Sequence, residues 1–170
     1  MTVTFTKAAR GYVLSTELWL PRPVEEVFAF FADAHNLQRL TPPWLGFRIL
    51  TPPPIAMREG TLIDYRISLW GVPMVWRTRI PAWEPPARFV DEQIAGPYAL
   101  WVHEHTFRAA DGGTVCADRV EYAHVGGAVG ETVFVRPNLR RIFAFRARAM
   151  CEWAGAVDRN LFGNARQAPA

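Results

Sequence analysis

A chain of 170 residues, half of them hydrophobic, is long enough to bury the core of one domain, and it leaves little room for a second. Nineteen basic residues stand against sixteen acidic ones for a formal charge of +3, and the two signs are mixed along the chain, unlike the one-sided basic face of a nucleic-acid binder. Cys116 and Cys151 lack metal-ligand spacing, the N-terminus lacks a signal-peptide core and no window is long enough for a membrane span, so a cytoplasmic protein without disulfides is expected.

Residues 12–20 read as a strand with Leu14, Leu18 and Leu20 on one face and Glu17 on the other, ended by Pro21. Pro23 opens a helix with Glu25 and Glu26 in its first turn, where the helix dipole favours acids. Asn36 divides that stretch into a helix and a shorter second one, stopped by Pro42-Pro43. Strands follow in series over 46–50, 61–70, 73–80, 88–95, 98–109 and 114–123. Asp111-Gly112, between two alternating runs, marks a two-residue hairpin turn. The glycine-rich passage from Gly126 to Gly130 does not match a dinucleotide-binding fingerprint.

The last element is predicted as a long helix over 136–163, with Pro137 in its first turn and Gly163 at its end. Leu139, Phe143, Met150, Trp153, Val157 and Leu161 form an apolar stripe, and Arg146 falls in the middle of it. The dense basic group Arg136, Arg140 and Arg141 reads as a solvated helix start. Residues 1–163 are expected to form a single domain, with 164–170 as a flexible tail. Helices bunched early and late around consecutive strands predict an antiparallel α+β fold. A bent sheet gripping the long helix would leave a cavity between them.

In its element order the chain resembles the helix-grip fold of the START-like (SRPBCC) superfamily, and within it the bacterial polyketide cyclase/dehydrase-like ligand-binding group. The stretches that carry the resemblance are LTPPWLGFRI (40–49), FVDEQIAGPYALWVHEHTF (89–107), GGTVCADRVEY (112–122) and LRRIFAFR (139–146). It implies a curved antiparallel sheet of six to seven strands wrapped around the C-terminal helix, with two short helices after the first strand. It implies also a hydrophobic small-molecule ligand, such as a lipid, isoprenoid or polyketide-like ring system. Some relatives carry nucleotide-sugar epimerase labels, which the absence of a Rossmann fingerprint here does not support.

The candidate site follows from strand alternation. Trp101, His103, His105 and Phe107 share one face of their strand, and Cys116, Asp118, Val120 and Tyr122 share one face of the next. With Asp111-Gly112 as turn residues, His105 lies opposite Asp118 and Phe107 opposite Cys116. Three readings of this cluster stand side by side. It is a satisfied interior network, or it orients the polar end of a ligand, or His105 held by Asp118 is a catalytic acid/base for cyclase or dehydratase chemistry. A metal site from His103, His105 and Cys116 or Asp118 is weaker, because the register splits the set and leaves Asp118 to support it; no metal or cofactor is expected.

Tyr65, Trp76, Trp101, Tyr122, Phe143 and Met150 read as cavity walls, with Trp44 and Trp70 near an entrance. Arg146 is expected to point inward and pair with Asp118, or with Asp91 as the second choice. An interaction module that docks a partner through exposed aromatics and the Arg136–Arg141 end is the remaining functional class, and oligomeric state is open.

Overall fold

The computed structural model describes residues 1–69 and 71–156. In chain order the strands and helices are β1 (Thr2–Ala8), β2 (Gly11–Leu20), α1 (Val24–Ala32), α2 (Leu37–Leu40), β3 (Arg48–Ile49), β4 (Leu62–Leu69), β5 (Val72–Glu84), β6 (Arg88–Ala95), β7 (Leu100–Ala110), β8 (Gly113–Ala123), α3 (Gly127–Gly130) and α4 (Arg136–Ala154). The eight strands form one antiparallel sheet in the order β1-β2-β8-β7-β6-β5-β4-β3. No helix among the described residues is long and apolar enough to cross a membrane.

Alternation gives the sheet two chemically distinct faces. Leu14, Ile63, Ile67, Trp76, Ile80, Phe89, Trp101, Phe107 and Val120 are buried on the inner face. The outer face is laced by cross-strand ion pairs such as Arg77–Asp64 at 2.6 Å and Arg88–Glu104 at 2.6 Å, with Arg79 paired to Glu92. Such exposed pairs add little stability each, but they keep this face wet and fix which side of each strand turns inward.

Two buried clusters join the layers. Phe28 of α1 packs edge-on against Phe89 and Phe107, and Phe30 stacks on Trp153 of α4 at 4.1 Å. Leu139 and Phe143 of α4 belong to the second cluster, with Ile67, Trp76, Trp101 and Tyr122 from the sheet. Burying a large apolar side chain contributes about 1.5–3 kcal/mol, so these rows set how α4 lies across the sheet.

Four elements differ from the sequence expectation. The sheet has eight strands rather than six to seven because β1 adds an edge strand; its exposed threonines and Lys7 hide the weak alternation of Val3 and Phe5. Strand 73–80 extends to Glu84, past Pro81, because the β5–β6 register shifts between Arg79 and Ala82 and a proline is tolerated in such a bulge. The helical path begins at Gly127, and a wide turn over Glu131–Val135 precedes α4. Pro137 therefore sits just after a loosened turn, where its missing N–H and its ring do least harm.

At the other end, α4 stops at Ala154, not Gly163. Gly155 takes the left-handed conformation (φ 68°), and the Ala156 N–H donates back to the Cys151 carbonyl at 2.9 Å. Val157, Leu161 and the tail 164–170 lie outside the described residues, as does Trp70.

Candidate functional site

The polar cluster is built by strand register. Across the inner face, one row runs Thr16 (β2), Asp118 (β8), His105 (β7), Phe89 (β6), and the next runs Leu14, Val120, His103, Asp91. Asp91 and Asp118 therefore lie diagonally, with the two histidines between them. The Asp111-Gly112 turn, with φ of 51° and 73°, locks the β7–β8 part of this register, and His105 does lie opposite Asp118.

The contacts are close and mostly buried. His103 Nε2 bonds Asp118 Oδ1 at 3.0 Å, and His105 Nε2 bonds Asp91 Oδ2 at 2.9 Å. His105 Nδ1 lies 2.9 Å from Asp118 Oδ1, but the ring is turned out of line for a hydrogen bond, so this contact is electrostatic. Thr16 Oγ1 donates to Asp118 Oδ2 at 3.2 Å. The two imidazole centroids are 3.8 Å apart, and Phe89 stacks on His105 at 4.2 Å. Thus the hydrogen-bonded partner of His105 is Asp91, while Asp118 bonds His103.

Arg146 is 8% exposed and points into this group. Its Nε lies 3.9 Å from Asp118 Oδ2, beyond hydrogen-bond reach and without a bonded partner, and its Cζ sits 5.2 Å above the Phe31 ring. The link to Asp118 is one of charge.

Charge and burial compete at every member of the cluster. Burial alone would raise the carboxyl of Asp118, yet the charge of Arg146 and the contacts of His103 and His105 hold it well below the usual carboxylate range. Burial opposes Asp91 too, and His103, His105 and Arg146 keep it below its ordinary value. Burial and the neighbouring His105 depress His103, whereas Asp118 and Asp91 outweigh burial at His105 and raise it. The two imidazoles are thus pushed in opposite directions, which favours His105 over His103 as the proton donor of the pair. Burial, with Asp118, pushes the Cys116 thiol up to about 12, so Cys116 is no nucleophile.

A cavity of about 180 Å³ lies between the sheet, α1, α2 and α4. Of the residues anticipated for the site, Tyr65, Trp76, Trp101, His103, His105, Phe143 and Arg146 line it. Asp118 stands behind the histidines and is not part of the lining. Tyr122 is also away from it, because its hydroxyl donates to the buried carboxylate of Glu131 at 2.8 Å. Met150, one turn beyond Arg146, packs into the α1 cluster instead. Trp44 is exposed and rests edge-on against Phe145 at 5.8 Å, beside the lining residue Leu45.

Sequence reading offered Asp91 only as a second-choice partner for Arg146 and passed over Phe31, Phe47, Phe89, Tyr98 and Thr78; all six face the cavity. Thr78 forms a second polar spot with the Tyr65 hydroxyl at 2.8 Å and Trp76 Nε1 at 3.1 Å. The signal for Asp91 was its alternation with Phe89, which pairs with His105. Tyr98 is held in place by Gln93, whose amide donates to the Tyr98 carbonyl at 2.7 Å.

An antiparallel sheet closed by one long helix over a mostly apolar cavity is a helix-grip arrangement. Over residues 20–150 the sequence matches the family described as polyketide cyclase/dehydrase and lipid transport, and the chain belongs to that family. Solved structures with the same fold include a Mycobacterium smegmatis protein (18% identity, 91% of this chain and 99% of that one, TM-score 0.66) and an Arthrobacter aurescens protein (12% identity, 96% and 100%, TM-score 0.68). Part of a Corynebacterium glutamicum nucleoside-diphosphate sugar epimerase is also similar, at 25% identity over 81% of this chain but only 28% of that one, with a TM-score of 0.57. No curated protein matches the sequence.

Proposed function

We propose that the protein binds a compact hydrophobic molecule with an oxygen-bearing end in the cavity between the sheet and α4. One observation carries this reading. Aromatic and aliphatic side chains line the cavity, and Asp91, His103, His105 and Arg146 converge in its wall. Apolar walls with a few placed polar groups are the usual make-up of a small-molecule site. At about 180 Å³ the space is below the roughly 300–1,000 Å³ of drug-sized pockets, which favours a ring system of polyketide or isoprenoid type over a long acyl chain. Family membership points the same way.

The test is a panel of apolar ring compounds and environment-sensitive dyes, titrated against the purified chain, with native mass spectrometry for molecules retained from expression. Saturable one-to-one binding that changes the fluorescence of the wall tryptophans supports the proposal. Failure of every compound to bind, with nothing retained, overturns it.

A second reading is favoured by the place of His105 in the cavity wall, backed by two carboxylates. In an aromatase/cyclase or dehydratase, a protonated His105 would act as general acid toward a ligand carbonyl or a departing hydroxyl, with Asp118 and Asp91 holding the ring. Turnover of a poly-β-ketone should then fall at least 100-fold in His105→Ala, within the range of a lost acid–base group. Unchanged turnover removes the assignment.

A further inference from the structure

We propose that Asp91, His103 and His105 form a binding site for one divalent transition-metal ion, best suited to zinc, that opens onto the cavity. The proposal does not rest on the ligand reading, because metal binding is measured with the cavity otherwise empty.

The first ground is donor chemistry. Two imidazoles and one carboxylate each offer a donor atom, and the three atoms lie within 4.8 Å of one another. Such a nitrogen–oxygen set suits zinc, which leaves an open position when only three protein groups bind it. His105 Nε2 and His103 Nδ1 lie 2.9 Å and 3.6 Å from Asp91 Oδ2. These distances bracket the ~3.3 Å that separates donors around a tetrahedral ion with ~2.0 Å bonds.

The second ground is the arrangement behind the ligands. Asp118 Oδ1 faces the far nitrogen of both rings, His103 Nε2 at 3.0 Å and His105 Nδ1 at 2.9 Å. Metal-binding histidines commonly give their other N–H to a carboxylate, which fixes the ring and raises its basicity. Asp118 bonds His103 in this way and lies beside the far nitrogen of His105 without a bond in line, and Thr16 holds that carboxylate in turn.

The third ground is a donor count. Four ring nitrogens face carboxylate oxygens, but a neutral imidazole carries a single N–H. If His103 donates from Nε2 to Asp118, its Nδ1 carries a lone pair 3.6 Å from an Asp91 oxygen, and the two repel. Charging both rings instead would set two like charges 3.8 Å apart. A divalent cation among the three donors removes the conflict, since all three then direct lone pairs at positive charge. The ligands face the cavity and Asp118 does not, so the open coordination position faces the cavity too.

Purified chain, stripped with chelator, should bind roughly one Zn²⁺ per chain in calorimetry and in elemental analysis after dialysis. Asp91→Ala and His103→Ala should each weaken binding more than about 100-fold, and Asp118→Asn by about 10–100-fold through ring orientation. Replacing His35 and His124, which lie outside the cluster, should change nothing. Cobalt(II) added to the wild type should give the intense visible bands of a four- or five-coordinate ion, which decides the matter even if a variant misfolds. Substoichiometric zinc, wild-type affinity in folded Asp91→Ala, or the pale spectrum of fully hydrated cobalt overturns the proposal. Dye binding by the stripped protein reports separately on the ligand reading.

Discussion

A guanidinium in the middle of an apolar helix stripe lowers its cost through hydrogen bonds, through nearby opposite charge, or through an aromatic face. Arg146 uses the last two at measurable distances, 3.9 Å from Asp118 and 5.2 Å over Phe31, while its Nε has no bonded partner. Asp118 depends on that charge, which is the strongest influence opposing its burial. Removing one side should therefore cost more than removing both. In chelator-treated protein, Arg146→Met should lower stability by about 3 kcal/mol, and Arg146→Met with Asp118→Asn should recover part of that loss. Urea denaturation is the measurement; a wild-type midpoint for the single variant would mean that Asp118 does not need Arg146.

At the scale of elements, tight turns and close strand approaches set the register that builds the site. Gly11 closes the β1–β2 turn with φ of 104°, and a Cβ there would lie 2.2 Å from the Tyr122 carbonyl oxygen. Gly11→Ala should lower stability by about 2 kcal/mol, since neither the backbone angle nor the neighbouring strand can yield cheaply. Gly112 is the contrast: its φ of 73° is one asparagine tolerates, and nothing lies within 4 Å. Gly112→Asn should leave the urea midpoint near that of the wild type, and equal losses at the two sites would refute the steric argument.

The β7–β8 pairing was legible in the sequence because a two-residue turn and clean alternation leave a single register. Asp91 was harder to place, because β6 reaches β7 through the Gly96–Ala99 connection and pairs with β5 through bulges, so no count from a turn puts it beside His103. The helix stripe was legible as far as Gly155; beyond it, apolar spacing continued while the left-handed glycine had already ended the helix. β1 was missed because an edge strand needs little apolar content to form.

For the molecule as a whole, the cavity is space that core packing would otherwise fill, and filling it distinguishes a site from a packing accident. Ile67 is buried on the inner face and lines the cavity. Enlarging a side chain in a well-packed core costs about 1–3 kcal/mol. Ile67→Phe should instead leave the unfolding midpoint unchanged or raised, while dye affinity falls at least tenfold, about 1.4 kcal/mol of binding. A destabilised variant that keeps full dye affinity would show that Ile67 sits in tight core and not at a void.

The β7–β8 hairpin also bears on the order of assembly. His103, His105 and Asp118 lie on two strands joined by a two-residue turn, so their contacts close a short loop, and hairpins of this kind form in about 1–10 µs. Arg146 and the apolar wall of α4 come from far along the chain and meet the sheet only through contacts of long sequence separation, which are slow to form. A hairpin that forms first would bring these charged groups together while water still solvates them, and docking of α4 would then remove that water. Closing the helix over an already paired set of charges is a smaller step than gathering unpaired charges into a finished interior.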